Sequence, residues 1–180
     1  PAYTVDNPPN YSNWALGLNG VDQYGASAGD DTLASKSYSF WAKSTDTAYS
    51  PIFDHGGATT GAFLFNFGNK PLVYLNSNYY QYFVDNAGQD DGNWHHWVVY
   101  IDGDDVTDSK LYCDGVAQAQ DGSSTSDPAN AYTTGIRIGR RGTGYFEGNL
   151  DEFAIFDGEL TPAQVNEIFR AGKPGTLDGM

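Results

Sequence analysis

Along most of the chain, apolar and polar residues alternate with the two-residue period of a half-buried strand, in short runs separated by Gly, Asn and Asp. In residues 37–43, Tyr38, Phe40 and Ala42 share one face and Ser39, Trp41 and Lys43 the other, so one of these faces must be core. Residues 93–101 carry the strongest strand pattern, with His95, Trp97, Val99 and Ile101 on one side and Trp94, His96, Val98 and Tyr100 on the other. Both sides are apolar enough to predict a central strand covered on both faces. Adjacent residues on a strand point apart, so His95 and His96 cannot chelate one ion together, and with Trp94 and Trp97 they read as core packing.

Shorter runs at 14–19, 23–26, 50–54, 61–67, 70–75 and 79–84 are broken by Gly20-Val21-Asp22, His55-Gly56-Gly57, Gly68-Asn69 and Asn76-Ser77-Asn78, as in a meander of hairpins. Residues 109–113, the pair Asp114-Gly115 and the return at 116–118 spell a tight hairpin. A Ser/Thr/Asp loop at 122–130 precedes strands at 135–139 and 144–156. Helix appears only after Thr161, an N-cap followed by Pro162 and by Gln164 three residues on. Val165, Ile168 and Phe169 form the apolar stripe of this helix and Gly172 its end. Pro8-Pro9 and several Asn make residues 1–13 a lead-in arm, so one domain is expected over 14–172, with a tail at 173–180.

Composition agrees with a single all-β domain: 180 residues suit one core, and 22 Gly, 13 Tyr and 10 Phe favour strands and turns over helices. With 23 acidic and 9 basic residues the formal charge is −14, which repels nucleic acid and anionic membranes. No apolar run approaches the roughly 20 residues of a spanning helix, so membrane insertion is not expected. One cysteine, Cys113, excludes an internal disulfide and a cysteine-based zinc site. The start at Pro1, without Met or a basic-then-apolar leader, is expected of a processed product or an excised piece of a larger protein.

The order of landmarks resembles the laminin G-like modules of the concanavalin A-like lectin and glucanase superfamily, over about residues 14–172. The resemblance rests on residues 18–24, 38–43, Trp94-His95-His96-Trp97 through Asp102-Gly103, residues 111–115, and residues 148–156 ahead of the Thr161 helix. It implies a jelly-roll β-sandwich of two antiparallel sheets, first and last strands adjacent, with one short C-terminal helix packed at an edge. It also implies a carbohydrate- or protein-binding module, of the kind attached to enzymes, adhesins or phage fibres. Gln23 stands where a second Asp is common in the family, and the loop at 102–108 is longer than usual.

Relatives often hold structural calcium near the junction of first and last strands. Asp22 and Asp151, with the Gly20 carbonyl, are the candidate Ca²⁺ ligands, since carboxylates and carbonyls suit a hard cation. The alternative is that Asp22 caps its turn and Asp151 bonds to backbone amides. The acidic loop at 102–108 lacks the glycine and the distal glutamate of an EF-hand, so weak surface cation binding is the most it supports.

For a glycan, the informative cluster is Tyr74, Asn76, Asn78, Tyr79, Tyr80 and Tyr82, because flat aromatics and amides match the C–H faces and hydroxyls of sugars. Loop-borne Arg140 and Arg141 add charge-assisted donors for an acidic sugar. The alternative is that half of these tyrosines are buried and the arginines neutralise nearby Asp. Glu147, Asp151 and Glu152 lack the spacing of a glycosidase carboxylate pair, which points away from catalysis. The expected function is therefore non-catalytic recognition of a glycan or polysaccharide, extracellular, on a cell surface or on a virion. The alternative is a structural or protein-binding domain among the subunits of a virion or surface assembly, ahead of a polysaccharide hydrolase or lyase.

Overall fold

The computed structural model describes residues 2–4, 15–27, 35–46, 50–56, 62–67, 70–75, 79–84, 90–123 and 135–172; at 2–4, 62–67, 75 and 79 it describes the backbone alone. In chain order the strands begin with β1 (Ala2–Thr4), β2 (Ala15–Asn19), β3 (Gly25–Ala26) and β4 (Lys36–Lys43). The meander follows as β5 (Ser50–His55), β6 (Ala62–Phe67), β7 (Lys70–Leu75) and β8 (Tyr79–Phe83). Next come β9 (His95–Ile101), β10 (Lys110–Cys113), β11 (Val116–Ala117) and β12 (Gln120–Ser123). Last are β13 (Ile136–Ile138), β14 (Arg140–Arg141), β15 (Gly144–Tyr145), β16 (Glu147–Asp157) and the helix α1 (Pro162–Ala171).

Two antiparallel sheets result. The first has the order β1-β2-β16-β4-β9-β10-β11 and the second β12-β8-β7-β6-β5-β13-β3, while β14 and β15 pair as a separate hairpin. Between the sheets lie Tyr38, Phe40, Trp97, Val99, Ile101, Leu111, Phe146 and Leu150 from one side and Phe53, Val73, Phe83 and Ile136 from the other. These are the inward members of the alternating runs. Tyr38 stacks on Phe53 at 4.5 Å, and its hydroxyl meets His55 Nδ1 at 2.9 Å, so these two polar groups satisfy each other inside the core.

Strand β9 is covered on both faces, as its two apolar stripes require. Trp97, Val99 and Ile101 enter the sandwich, whereas Val98 packs under the helix with Tyr112, Leu160 and Val165. The β10–β11 hairpin turns at Asp114 and Gly115, both at positive φ (50° and 78°), the backbone that Asp-Gly supplies at low cost. Helix α1 has the full reciprocal cap: Thr161 Oγ1 accepts from the Gln164 N–H and Gln164 Oε1 accepts from the Thr161 N–H.

Several expectations need correction. The lead-in arm contributes a strand, because β2 would otherwise be the open edge of its sheet and Ala2–Thr4 pairs with it. The closing helix lies across the outer face of the first sheet rather than at its edge, Phe169 meeting Trp41 and His96. Residues 120–123 form β12 where a loop was expected from 122, with a register shift between Gln120 and Gly122. Arg140 and Arg141 stand on the β14–β15 hairpin, not on a loop, and the strand expected at 144–156 is divided at Phe146 into β15 and β16.

Candidate functional site

Direct cross-strand pairing places Tyr74 opposite Tyr80 and Leu72 opposite Tyr82. Residues that pair directly share a face, and Val73 and Phe83, one step along, point into the core. Tyr74, Tyr80 and Tyr82 therefore stand on the outer face of the second sheet. Tyr74 and Tyr80 lie 5.9 Å apart between ring centroids and Tyr80 and Tyr82 5.1 Å, a run of three rings laid over Leu72. All three are partly exposed, while Leu72 beneath them is buried. Part of each ring serves packing and the rest faces solvent.

Arg141 extends this run, its guanidinium 5.3 Å from the centre of the Tyr74 ring. Arg140, its neighbour on β14, points elsewhere. It stacks on Tyr24 at 4.7 Å and Tyr145 at 5.3 Å and donates Nε–H to the Gly142 carbonyl, so it shapes the hairpin. Of the predicted binding residues the fold thus brings together Tyr74, Tyr80, Tyr82 and Arg141. The backbone of Tyr79 pairs with that of Leu75, and the Tyr79 side chain, Asn76 and Asn78 lie outside what the structure describes.

Sequence reading missed the charges that border this face. The register runs Arg137, Asp54, Phe63, Tyr74, Tyr80 across five strands, so Asp54 and Arg137 share the tyrosine face. Asp54 is fully buried there, 3.8 Å from Arg137 Nη2. At the other border Lys70 donates to Asp121. Period-two reading of each strand gives the face of a residue, but only the register between strands gives its neighbours.

The residues expected to hold calcium do not assemble. Glu147, not Asp151, sits opposite Asn19 at the Gly20 turn, and Asp151 lies four residues further along β16, about 13 Å away at strand spacing. Asn19, not Asp22, caps the turn: its Oδ1 accepts from the N–H groups of Val21, Asp22 and Gln23, while Asp22 Oδ1 accepts from Asn19 Nδ2. Asp151 pairs with Trp41 on β4, and its Oδ1 accepts from the Glu152 N–H in a bulge where Glu152 has φ 52°. These residues do not fit one Ca²⁺ shell. Asp102 and Asp105 likewise organise their loop, accepting from the N–H groups of Asp104, Asp105 and Thr107.

His95 and His96 point apart, with different chemistry. Asp114 Oδ2 lies 2.8 Å from His95 Nδ1 and Asp91 Oδ1 3.3 Å from Nε2, and the Asp114 hydrogen bond holds the His95 pKa above its usual value against the opposing effect of burial. Cys113 is close enough to join His95 and Asp114 as a three-ligand group. Burial pushes His96 down to about 4, and its Nε2 lies 2.9 Å from Ser39 Oγ. Burial raises Glu152, with the Asp151 charge second.

Glu147 and Asp151 alternate onto the same face of β16 but stand about 13 Å apart, beyond the roughly 6.5–9.5 Å of an inverting glycosidase pair. The molecule is a two-sheet jelly roll with an exposed tyrosine face. Residues 19–166 match the laminin G-like family model described as the concanavalin A-like lectin/glucanases superfamily, and the chain belongs to that family. A search of curated protein sequences returns no significant match.

Among solved structures it is similar to domains LG4-5 of the mouse laminin α1 chain, at 14% identity and TM-score 0.60, covering 78% of this chain and 40% of that one. It is also similar to a heptameric SAP-like pentraxin from Limulus polyphemus (15% identity, TM-score 0.62, 90% of this chain and 79% of that one). A third is domain 4 of AbnA, an extracellular arabinanase of Geobacillus stearothermophilus in complex with arabinotriose, at 18% identity and TM-score 0.59 over 84% and 86% of the two chains. At these identities the likeness is one of fold.

Proposed function

We propose that the chain is a non-catalytic binding domain that takes a glycan on the outer face of its second sheet, with Tyr74, Tyr80 and Tyr82 as the platform and Arg141 at its end. The observation that carries this reading is the outward run of three partly exposed rings on paired strands. Such rings offer the apolar, polarisable surface on which the C–H faces of sugars settle, and the tyrosine hydroxyls bond to sugar hydroxyls at the edge. The arabinotriose-bound arabinanase domain supports a sugar as ligand on this fold. The acidic surface and the fold suit a module working outside the cell, on a cell surface or on a virion.

The test is a glycan array that includes bacterial and marine polysaccharides, run with calcium and with chelator, on the wild type and on Tyr80→Ala. Selective binding that Tyr80→Ala weakens about tenfold or more, the loss of a stacking contact of 1–3 kcal/mol class, supports the reading. Silence of the wild type under both conditions overturns it in favour of a structural or protein-binding domain.

A further inference from the structure

We propose that a second ligand site, for a neutral polyhydroxylated ligand of one or two sugar rings, lies on the outer face of the first sheet. Helix α1 covers that sheet over β4, β9 and β10, where Trp41, His96, Val98 and Tyr112 meet Val165 and Phe169. Beside it, where β2 and β16 meet the end of β4, a cleft of about 440 Å³ opens, within the size range of small-molecule sites. The register makes it a built site. Asn19 faces Glu147, and Gly17, Asn149 and Lys43 stand in line across three strands, with glycine leaving the floor bare between the amide and charged side chains.

The walls are fixed by bonds that do not involve a ligand. Asn19 holds the turn that positions Gln23, accepting from its N–H, and Ser44 Oγ donates to the Glu147 carbonyl while the Ser44 carbonyl accepts from Gly92. Three groups lining the cleft remain without a hydrogen-bond partner among the described residues: the Glu147 carboxylate, the Gln23 carboxamide and the Thr45 hydroxyl. A carboxylate only accepts, whereas a carboxamide and a hydroxyl both donate and accept. That set matches neighbouring hydroxyls of a sugar ring, each of which also donates and accepts. Among the described residues the cleft is lined by amide, hydroxyl and charged side chains, so these groups recognise a monosaccharide or disaccharide end through hydrogen bonds. Lys43 on the same face offsets Glu147, which disfavours both a bare divalent cation and an anionic sugar. This site is separate from the tyrosine face and does not rest on it; with both filled, one domain engages two chains or two points of one chain.

The experiment is an NMR titration of the ¹⁵N-labelled chain with methyl glycosides of glucose, galactose, mannose, xylose and arabinose, each to roughly 50 mM, well above a millimolar Kd. At least one should shift the amides of Gly17, Gly92 and Asn149. Glu147→Ala and Gln23→Ala, both at solvent-accessible positions, should each weaken that response about fivefold or more, while Tyr80→Ala leaves it unchanged. No response of these amides to any glycoside overturns the proposal, as does a response that survives both substitutions or one produced by calcium chloride alone. A response confined to Tyr74, Tyr80 and Tyr82 overturns it too, and leaves the tyrosine-face reading standing.

Discussion

The outer faces of the two sheets start from similar material and end differently. On the first, Trp41, His96, Val98 and Tyr112 point outward from β4, β9 and β10, and all four are buried. On the second, Tyr74, Tyr80 and Tyr82 point outward from β7 and β8 and stay partly exposed. The strand patterns do not separate the two cases, since both carry aromatics on alternate residues. What separates them is one amphipathic helix, whose Val165, Ile168 and Phe169 are laid on the first sheet. An aromatic face that the chain itself covers is core; one left open is available to a partner.

The largest effect should come from uncovering the first face. Phe169 meets the Trp41 ring at 6.0 Å and the His96 ring at 5.8 Å, so Phe169→Ala should cost about 3–5 kcal/mol, read as a fall in the urea midpoint. A loss under about 1 kcal/mol would mean that the helix is decoration and that both outer faces are open surfaces.

Acid should come next, through His96. Its folded-state pKa of about 4 lies below the 6.5 of the free side chain, so its contribution to stability is complete above pH 6.5 and is lost as pH falls toward 4. Two and a half units correspond to on the order of 3 kcal/mol. Protonation is opposed twice, since Nδ1 is buried with no hydrogen-bond partner among the described residues and the ring lies against Phe169. His95 works in the opposite sense: held above 6.5 by Asp114, it stabilises fully below that value, and the gain is lost as pH rises through its raised pKa. Urea midpoints from pH 8 to 4 should therefore fall on the acid side in the wild type, and His96→Gln should remove most of the fall, leaving the part due to carboxylates such as Asp91 and Asp105, which hydrogen bonds from Asn93 and Thr107 hold below the usual range. A wild-type profile flat between pH 6.5 and 4 would contradict the burial of His96.

The same contrast marks how far the sequence could be read. Alternation in β4 and β9, the Asp-Gly turn and the Thr161 cap were legible because each is a local rule, decided within a few residues. Where Phe169 would settle was not, because contact with Trp41 and His96 joins segments far apart in sequence. The expected Ca²⁺ ligand set came apart for a related reason: Asp22 and Asp151 were matched by adjacency of their strands, but register, which the local pattern leaves open, sets Glu147 at that turn instead. The tyrosines could be placed on one face from spacing alone, Tyr80 and Tyr82 being two apart, whereas their separation from Arg140 depends on a hairpin the sequence did not announce.

A smaller effect tests the helix from its end. Thr161→Ala removes the acceptor for the Gln164 N–H and one half of the reciprocal cap, and should cost about 1 kcal/mol in thermal or urea unfolding. An unchanged midpoint would mean that packing of Val165 and Phe169 alone holds the helix to the sheet.

A loss of stability no larger than that of Thr161→Ala is expected on the second face, and there a small number is the informative result. Tyr80 touches Tyr74 and Tyr82 and helps cover Leu72, but it is partly exposed, so Tyr80→Ala should cost about 1 kcal/mol, the worth of an aromatic pair, rather than the 3–5 kcal/mol of a buried ring. Measured beside Phe169→Ala in the same urea series, it gives the ratio on which the comparison stands. If the two substitutions cost the same, the tyrosine face is core and has no surface to offer a sugar. If Tyr80→Ala is nearly neutral for folding yet abolishes binding on the array, the rings are held outward for a ligand, because nothing in the folded state then accounts for three tyrosines in a row.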